Sequence, residues 1–182
     1  GGAVVAAFGS GAVFVLNACS FLGVMIVLYR WRRPAAPNGL PAEDVFGAMR
    51  AGVRYVRHSP PVHAVLLRTG AFIFGGSALW ALLPLVARED LGLGATGYGL
   101  ILGCLGMGAV GGGLLLPRIE RQLSTDALLA GAVVLFALAT AGPIYAQQLT
   151  VLSLIMIIGG IAWIAIMSTF NVAAQVTVPG WV

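Results

Sequence analysis

The chain has no lysine, only six acidic residues, and 9% charged residues among 182. A soluble domain of this size carries roughly a quarter of its residues charged, so this scarcity argues against a water-soluble fold. Only two cysteines occur, Cys19 and Cys104. They sit inside apolar stretches without metal-ligand spacing and read as small packing residues. Neither a metal site nor a cofactor is expected. No acidic pair lies within an apolar stretch, no serine stands in a nucleophile elbow, and His58 and His63 merely flank Ser59-Pro60-Pro61. A catalytic constellation is therefore missing, and an enzyme is not expected. The first residues also lack a charged region followed by a cleavage site, which fits a piece of a longer protein better than a secreted one.

What the chain does have is apolar length. Residues 11–29, 69–87, 98–116, 127–146 and 149–169 contain no charge. Each is near the twenty or so residues that an α-helix needs to cross a bilayer. The mean hydropathy of +0.98 agrees. The expected fold class is all-α, a polytopic transmembrane helical bundle.

The ten arginines orient it. With Arg30, Arg32 and Arg33 placed in the cytoplasm, segment 34–63 is cytoplasmic and carries Arg50, Arg54 and Arg57, with Arg68 just inside the next span. Segment 87–97 is then external and holds only Arg88, beside Glu89 and Asp90. Segment 117–126 returns to the cytoplasm with Arg118 and Arg121, and the outer turn Gln147-Gln148 is uncharged. Nine arginines fall inside and one outside, as the positive-inside bias requires. The net charge of +4 thus reflects membrane insertion, and no nucleic-acid partner is expected.

Segment 34–63 is the one long connection. It opens on the Pro- and Gly-bearing stretch 34–41 and closes at Ser59-Pro60-Pro61. Between them the spacing predicts a helix over 42–57, with Val45, Met49, Val53 and Val56 on one face and Asp44, Arg50, Arg54 and Arg57 mainly elsewhere. Glu43 and Asp44 at its start and arginines toward its end suit the helix dipole. Such a basic amphipathic helix either lies along the inner membrane surface or packs on the cytoplasmic ends of the spans. Both placements are cytoplasmic.

The span 98–116 is rich in glycine, and Gly99 with Gly103 forms a small-xxx-small pair suited to close helix approach. Packing is the preferred role, a sliding surface used in transport the alternative. Residues 106–111 also match a dinucleotide fingerprint literally, but no strand precedes them and the surroundings are apolar, so that match is rejected.

Polar groups in or near the spans are few: Asn17, Arg68, Ser77, Ser168, Asn171 and Gln175. Intramembrane ionisable groups are functional candidates by default, although Arg68 lies near the cytoplasmic end and can snorkel to the interface. Asn17, deeper, is a cavity-lining candidate that an interhelical hydrogen bond would explain equally well. Trp80 and Trp163 stand several residues from the span ends, away from the interfacial belt, and are cavity candidates weighed against packing. Pro84, Pro143 and Gly159-Gly160 are places where a helix could bend.

Four stretches carry a family likeness: Tyr29-Arg30-Trp31-Arg32-Arg33-Pro34; residues 47–56; Leu79-Trp80-Ala81-Leu82-Leu83-Pro84-Leu85-Val86-Ala87; and Asn171-Val172-Ala173-Ala174-Gln175 with Val178-Pro179-Gly180-Trp181-Val182. In these the chain resembles the major facilitator superfamily, in particular the bacterial branch of exporters that includes the enterobactin exporter. The resemblance implies the end of helix five and helix six over 1–33, a cytoplasmic linker over 34–63, and helices seven to ten of the C-terminal half over 64–182. It also implies a missing N-terminal helical half and a cavity shared between the halves. In the loop that copies the family's gating motif, Gly113, Arg118 and Arg121 match, whereas Pro117 stands at the acidic position and Glu120 at the later glycine. Asn171 and Gln175 mark the cytoplasmic end of the last span.

The function so implied is secondary active transport, most simply export of a small amphipathic molecule of drug or siderophore type across the bacterial inner membrane. Its partners are the lipid bilayer, the small-molecule substrate and the other half of the chain, and an ion or proton gradient is the energy source. The competing expectation is the membrane domain of an ATP-driven exporter, with 42–57 as a coupling helix. A non-transporting scaffold is the third.

Overall fold

A computed structural model describes residues 2–31, 45–146 and 148–177. Within them every regular element is helical: α1 (Gly2–Arg30), α2 (Val45–His58), α3 (Pro60–Leu85), α4 (Ala95–Ile119), α5 (Thr125–Ala141) and α6 (Leu149–Thr177). Five stretches are long and apolar enough to cross a membrane: Gly11–Arg30, Pro60–Asp90, Ala95–Ile119, Thr125–Ile144 and Leu149–Thr177. At 1.5 Å per residue α4 is about 38 Å long, more than the roughly 30 Å hydrocarbon thickness.

The helices outrun the uncharged stretches because capping chemistry, not hydropathy, sets their ends. Ser59-Pro60-Pro61, expected to close the linker, instead opens α3, with Ser59 at the N-cap and proline in the first turn. A proline there loses no intrahelical hydrogen bond and arrives with its φ already suitable. Consequently 60–63 belong to α3 and only Ser59 separates it from α2. The Ser124 hydroxyl accepts a hydrogen bond from the Ala127 amide (3.3 Å) and starts α5.

The suggested bending points behave differently from one another. Pro84 lies in the last turn of α3, which continues as a π-helical turn over Val86–Asp90, so Arg88, Glu89 and Asp90 are helical rather than loop residues. Around Pro143, α5 tightens into a 3-10 turn, Gly142–Ile144. Gly159 and Gly160 do not break α6 at all. The sharp break is instead at Gly9 (φ 78°, ψ 170°), which divides α1 into two helical runs. Only glycine adopts such angles readily.

The core is made chiefly by α6 against α4 and α5. Leu83, Ile101, Leu152, Met156 and Ile166 are its most enclosed large side chains. The α4–α6 contact is too close for side chains: a Cβ on Gly108 would collide with the Ile157 carbonyl, and one on Gly160 with the Leu105 carbonyl. A Cβ on Gly112 would come within 2.9 Å of Ile161 Cα. Close approach was expected from Gly99 and Gly103, yet Gly103 has open space where a Cβ would be. The small-xxx-small pair that packs is Gly108 and Gly112, one helical face further round, and Gly160 answers it from α6.

These pairings also fix direction. Gly108 with Ile157 and Gly112 with Ile161 make α4 and α6 parallel. Trp80 with Trp163 and Phe72 with Phe170 make α3 antiparallel to α6. Gly159 against Ala139 and Gly142 against Ile155 do the same for α5. Helices therefore alternate in direction along the chain from α3 to α6. The first half of α3 with Arg68, the end of α4 with Arg118, and the end of α6 gather at one end of the bundle; Arg88 lies at the other.

Candidate functional site

Five aromatic rings from three spans meet on the inner side of α3. Phe72 and Trp80 come from α3, Phe136 from α5, and Trp163 and Phe170 from α6. Phe72 touches three partners: Phe136 (centroids 5.2 Å apart), Trp163 (5.6 Å) and Phe170 (6.0 Å). Trp163 also meets Phe136 at 5.5 Å and Trp80 at 5.6 Å, the latter edge-to-face. Such tilted and edge-on pairs are the arrangements that aromatic quadrupoles favour. Gly76 sits against them: a Cβ there would rest at ordinary contact distance, 3.4 Å from the Phe136 ring and 3.7 Å from that of Trp163.

Two open grooves run along the α3–α5 boundary. One, about 460 Å³, is walled by Phe72, Gly76, Val133 and Phe136. The other, about 630 Å³, lies toward the Arg88 end and is lined by Leu79, Leu83, Pro143 and Ile144, with Asp90 among its few polar groups. Thr140 belongs to both, its hydroxyl donating to the Phe136 carbonyl (2.9 Å). Volumes of this order hold a drug-sized apolar molecule.

Of the residues singled out by sequence, Trp80 and Trp163 are brought together, though neither lines a groove directly. Trp80 remains 40% exposed, so its ring is only partly used in packing. Asn17 lies on the exposed face of α1, outside both grooves. Arg68 is exposed in α3, one turn before Phe72. Gly113 faces Ile164 at 3.9 Å from where a Cβ would be. Arg118 is exposed in the last turn of α4 and Arg121 in the turn after it. Neither forms an ion pair among the described residues. Asn171 and Gln175 stand in the last two turns of α6, which continues to Thr177, and the Asn171 side chain donates to the Met167 carbonyl within it (2.7 Å). The stretches 32–44 and 178–182, which hold Glu43, Asp44 and part of the family likeness, lie outside the described residues.

Sequence reasoning passed over Phe72, Phe136, Phe170 and Thr140. Phenylalanines in an apolar span carry no signal individually. Their eight-residue spacing from Trp80 (Phe72) and seven-residue spacing from Trp163 (Phe170) were the available clue, since seven residues return to within about 20° and eight to within about 80° of the same helix direction.

Residues 1–182 match the family described as transmembrane secretion effector. The chain belongs to that family, within the major facilitator superfamily. No curated protein and no solved structure matches it. Membership makes it a multi-pass membrane protein of transporter type.

Proposed function

We propose that the protein is a secondary active exporter that moves small amphipathic molecules across the bacterial inner membrane by alternating access, using an ion or proton gradient. The observation that carries the proposal is the meeting of Trp80 and Trp163, edge-to-face at 5.6 Å, in a ring cluster whose Phe72 and Phe136 wall an open groove. Aromatic faces accept apolar bodies of varied shape, while the Thr140 hydroxyl offers lone pairs to a polar tip. An amphipathic substrate uses both.

In this proposal α1 belongs to the N-terminal half and α3 to α6 are most of the C-terminal half. The exposed apolar flank of α1, with Asn17, faces the rest of the N-terminal half, and the cavity opens between the two halves. The arginine-bearing end is cytoplasmic. Gly113 and Arg118 near the cytoplasmic end of α4 and Arg121 in the turn after it act at the cytoplasmic face, without a salt-bridge partner among the described residues. Family membership favours gradient-driven transport over the ATP-driven alternative.

The test is flux of an amphipathic fluorescent dye in everted vesicles containing the complete chain. Accumulation driven by an imposed proton or sodium gradient without ATP, and abolished by an ionophore, is expected. Accumulation that needs ATP and ignores the gradient would transfer the assignment to an ATP-driven exporter, and no flux under either condition would leave a scaffold.

A further inference from the structure

The short helix α2 turns its apolar stripe away from the protein. Met49 (64% exposed) and Val53 (58%), from the stripe expected to seek apolar surroundings, lie outward beside Phe46 (79%), whereas Val56 of that stripe is half-buried. The side that packs is centred on Tyr55: Ala51, Gly52, Tyr55 and Val56 are half-buried, with Val56 at the edge of the stripe. Tyr55 fastens it, its hydroxyl donating to the Thr177 carbonyl at the end of α6 (2.9 Å). At about 100° per residue, Phe46, Met49 and Val53 fall within roughly 60° of one another, and Tyr55 lies roughly 180° from Phe46.

The arginines complete the pattern. Arg57, Arg50 and Arg54 continue round the helix from Phe46 over roughly 80° and are all exposed. An outward face with an apolar stripe along one side and three guanidinium groups along the next fits a lipid–water interface. The rings and methyls enter the acyl region while long arginine side chains reach back to headgroup phosphates. No acidic side chain stands within α2 to oppose that charge. Its place agrees, because Tyr55 holds it at the level where α6 ends and α3 begins, the surface of the membrane.

We propose that α2 is a docking helix for anionic phospholipid, with Phe46, Met49 and Val53 inserted among the acyl chains and Arg50, Arg54 and Arg57 on the headgroup phosphates. The Tyr55–Thr177 contact then ties the end of α6 to the leaflet, so that lipid charge bears on the arginine-bearing end of the transporter. The proposal rests on the arginine-bearing end being cytoplasmic only for the choice of leaflet, since both leaflets of the test vesicle are alike.

The complete chain, with every other accessible cysteine replaced (Cys19→Ala included), is labelled with an environment-sensitive fluorophore at Met49→Cys, Val53→Cys or Ala51→Cys. It is then reconstituted in phosphatidylcholine vesicles with or without phosphatidylglycerol, with a nitroxide quencher near the headgroup end of the acyl chain. Quenching at positions 49 and 53 several-fold stronger than at 51 is expected, rising with phosphatidylglycerol and falling when Arg50, Arg54 and Arg57 are all changed to Gln. Monodisperse elution of each variant confirms folding. Weak quenching at 49 and 53 in all lipids would mean that protein covers the stripe, and would overturn the proposal. Strong quenching indifferent to phosphatidylglycerol and to the arginines would equally overturn its anionic partner.

Discussion

The Tyr55 hydroxyl donates to the backbone carbonyl of Thr177 across 122 positions of sequence, closing the helix within the long connection onto the end of the last described span. A helix C-terminus leaves its last carbonyls without intrahelical partners. Tyr55 satisfies one of them and in doing so sets which side of α2 faces the bundle. Tyr55→Phe keeps the ring and removes the hydrogen bond, a loss of about 1 kcal/mol. Local opening should therefore increase: faster hydrogen–deuterium exchange in α2 and in the last turn of α6, with exchange at the α4–α6 contact unchanged. Equal protection in both variants would show that the hydrogen bond has no part in holding α2.

The α4–α6 contact predicts a sharp division among glycines of similar sequence context. Gly108→Ala or Gly160→Ala places a methyl against backbone carbonyl, which flexible side-chain motion cannot relieve. Overpacking of this kind costs about 1–3 kcal/mol. Gly103→Ala meets nothing within 4 Å and should be neutral or slightly stabilising. Thermal unfolding in detergent should separate the two classes; a fall in melting temperature for Gly103→Ala as large as that for Gly108→Ala would refute the assigned interface.

Trp80 and Trp163 should separate function from stability. Trp163 contacts Phe72, Trp80 and Phe136, each ring pair contributing about 0.5–1.5 kcal/mol beyond burial. Trp163→Ala should therefore lower melting temperature markedly. Trp80→Ala gives up one ring contact from a partly open site, and should alter the apparent affinity or selectivity of dye transport while expression stays near normal. Unchanged flux across several dyes in a Trp80→Ala transporter would remove the cluster from the substrate path.

Opposite ends of α4 supply the topology test. Thr96, at its start, and Gln122, in the turn after it, are both exposed. Single cysteines there should react with an impermeant maleimide from opposite faces of intact cells, Thr96→Cys from outside. Labelling of both from one face would break the alternation, and it would do so without touching the lipid contacts of α2.

Much of the fold was legible because each rule involved is local. An uncharged run of about twenty residues has few options other than a spanning helix, since unpaired backbone groups are too costly in hydrocarbon. The ends were less legible. Uncharged length understates a helix whose first turn contains Pro60 and Pro61 or whose last turns contain Asn171 and Gln175, because prolines suit a helix start and polar groups are tolerated at the interface. The stripe of α2 was readable too, whereas the side it would turn to the bundle was not. Val45, Met49, Val53 and Val56 announce amphipathicity, but only a partner at the right distance selects the packed side, and that partner is a carbonyl at Thr177.

Sequence alone determined that this is a helical membrane protein, where its spans lie, and how its arginines divide between its ends, since hydropathy and charge act on each segment separately during insertion. Tertiary structure decided which glycines meet, which rings gather and which side of α2 is left for lipid. Those outcomes depend on the rotation and crossing of helices far apart in the chain. Gly103 and Gly108 look alike until α6 is laid against one of them, and Phe72 is an ordinary apolar residue until Phe136, Trp163 and Phe170 arrive around it.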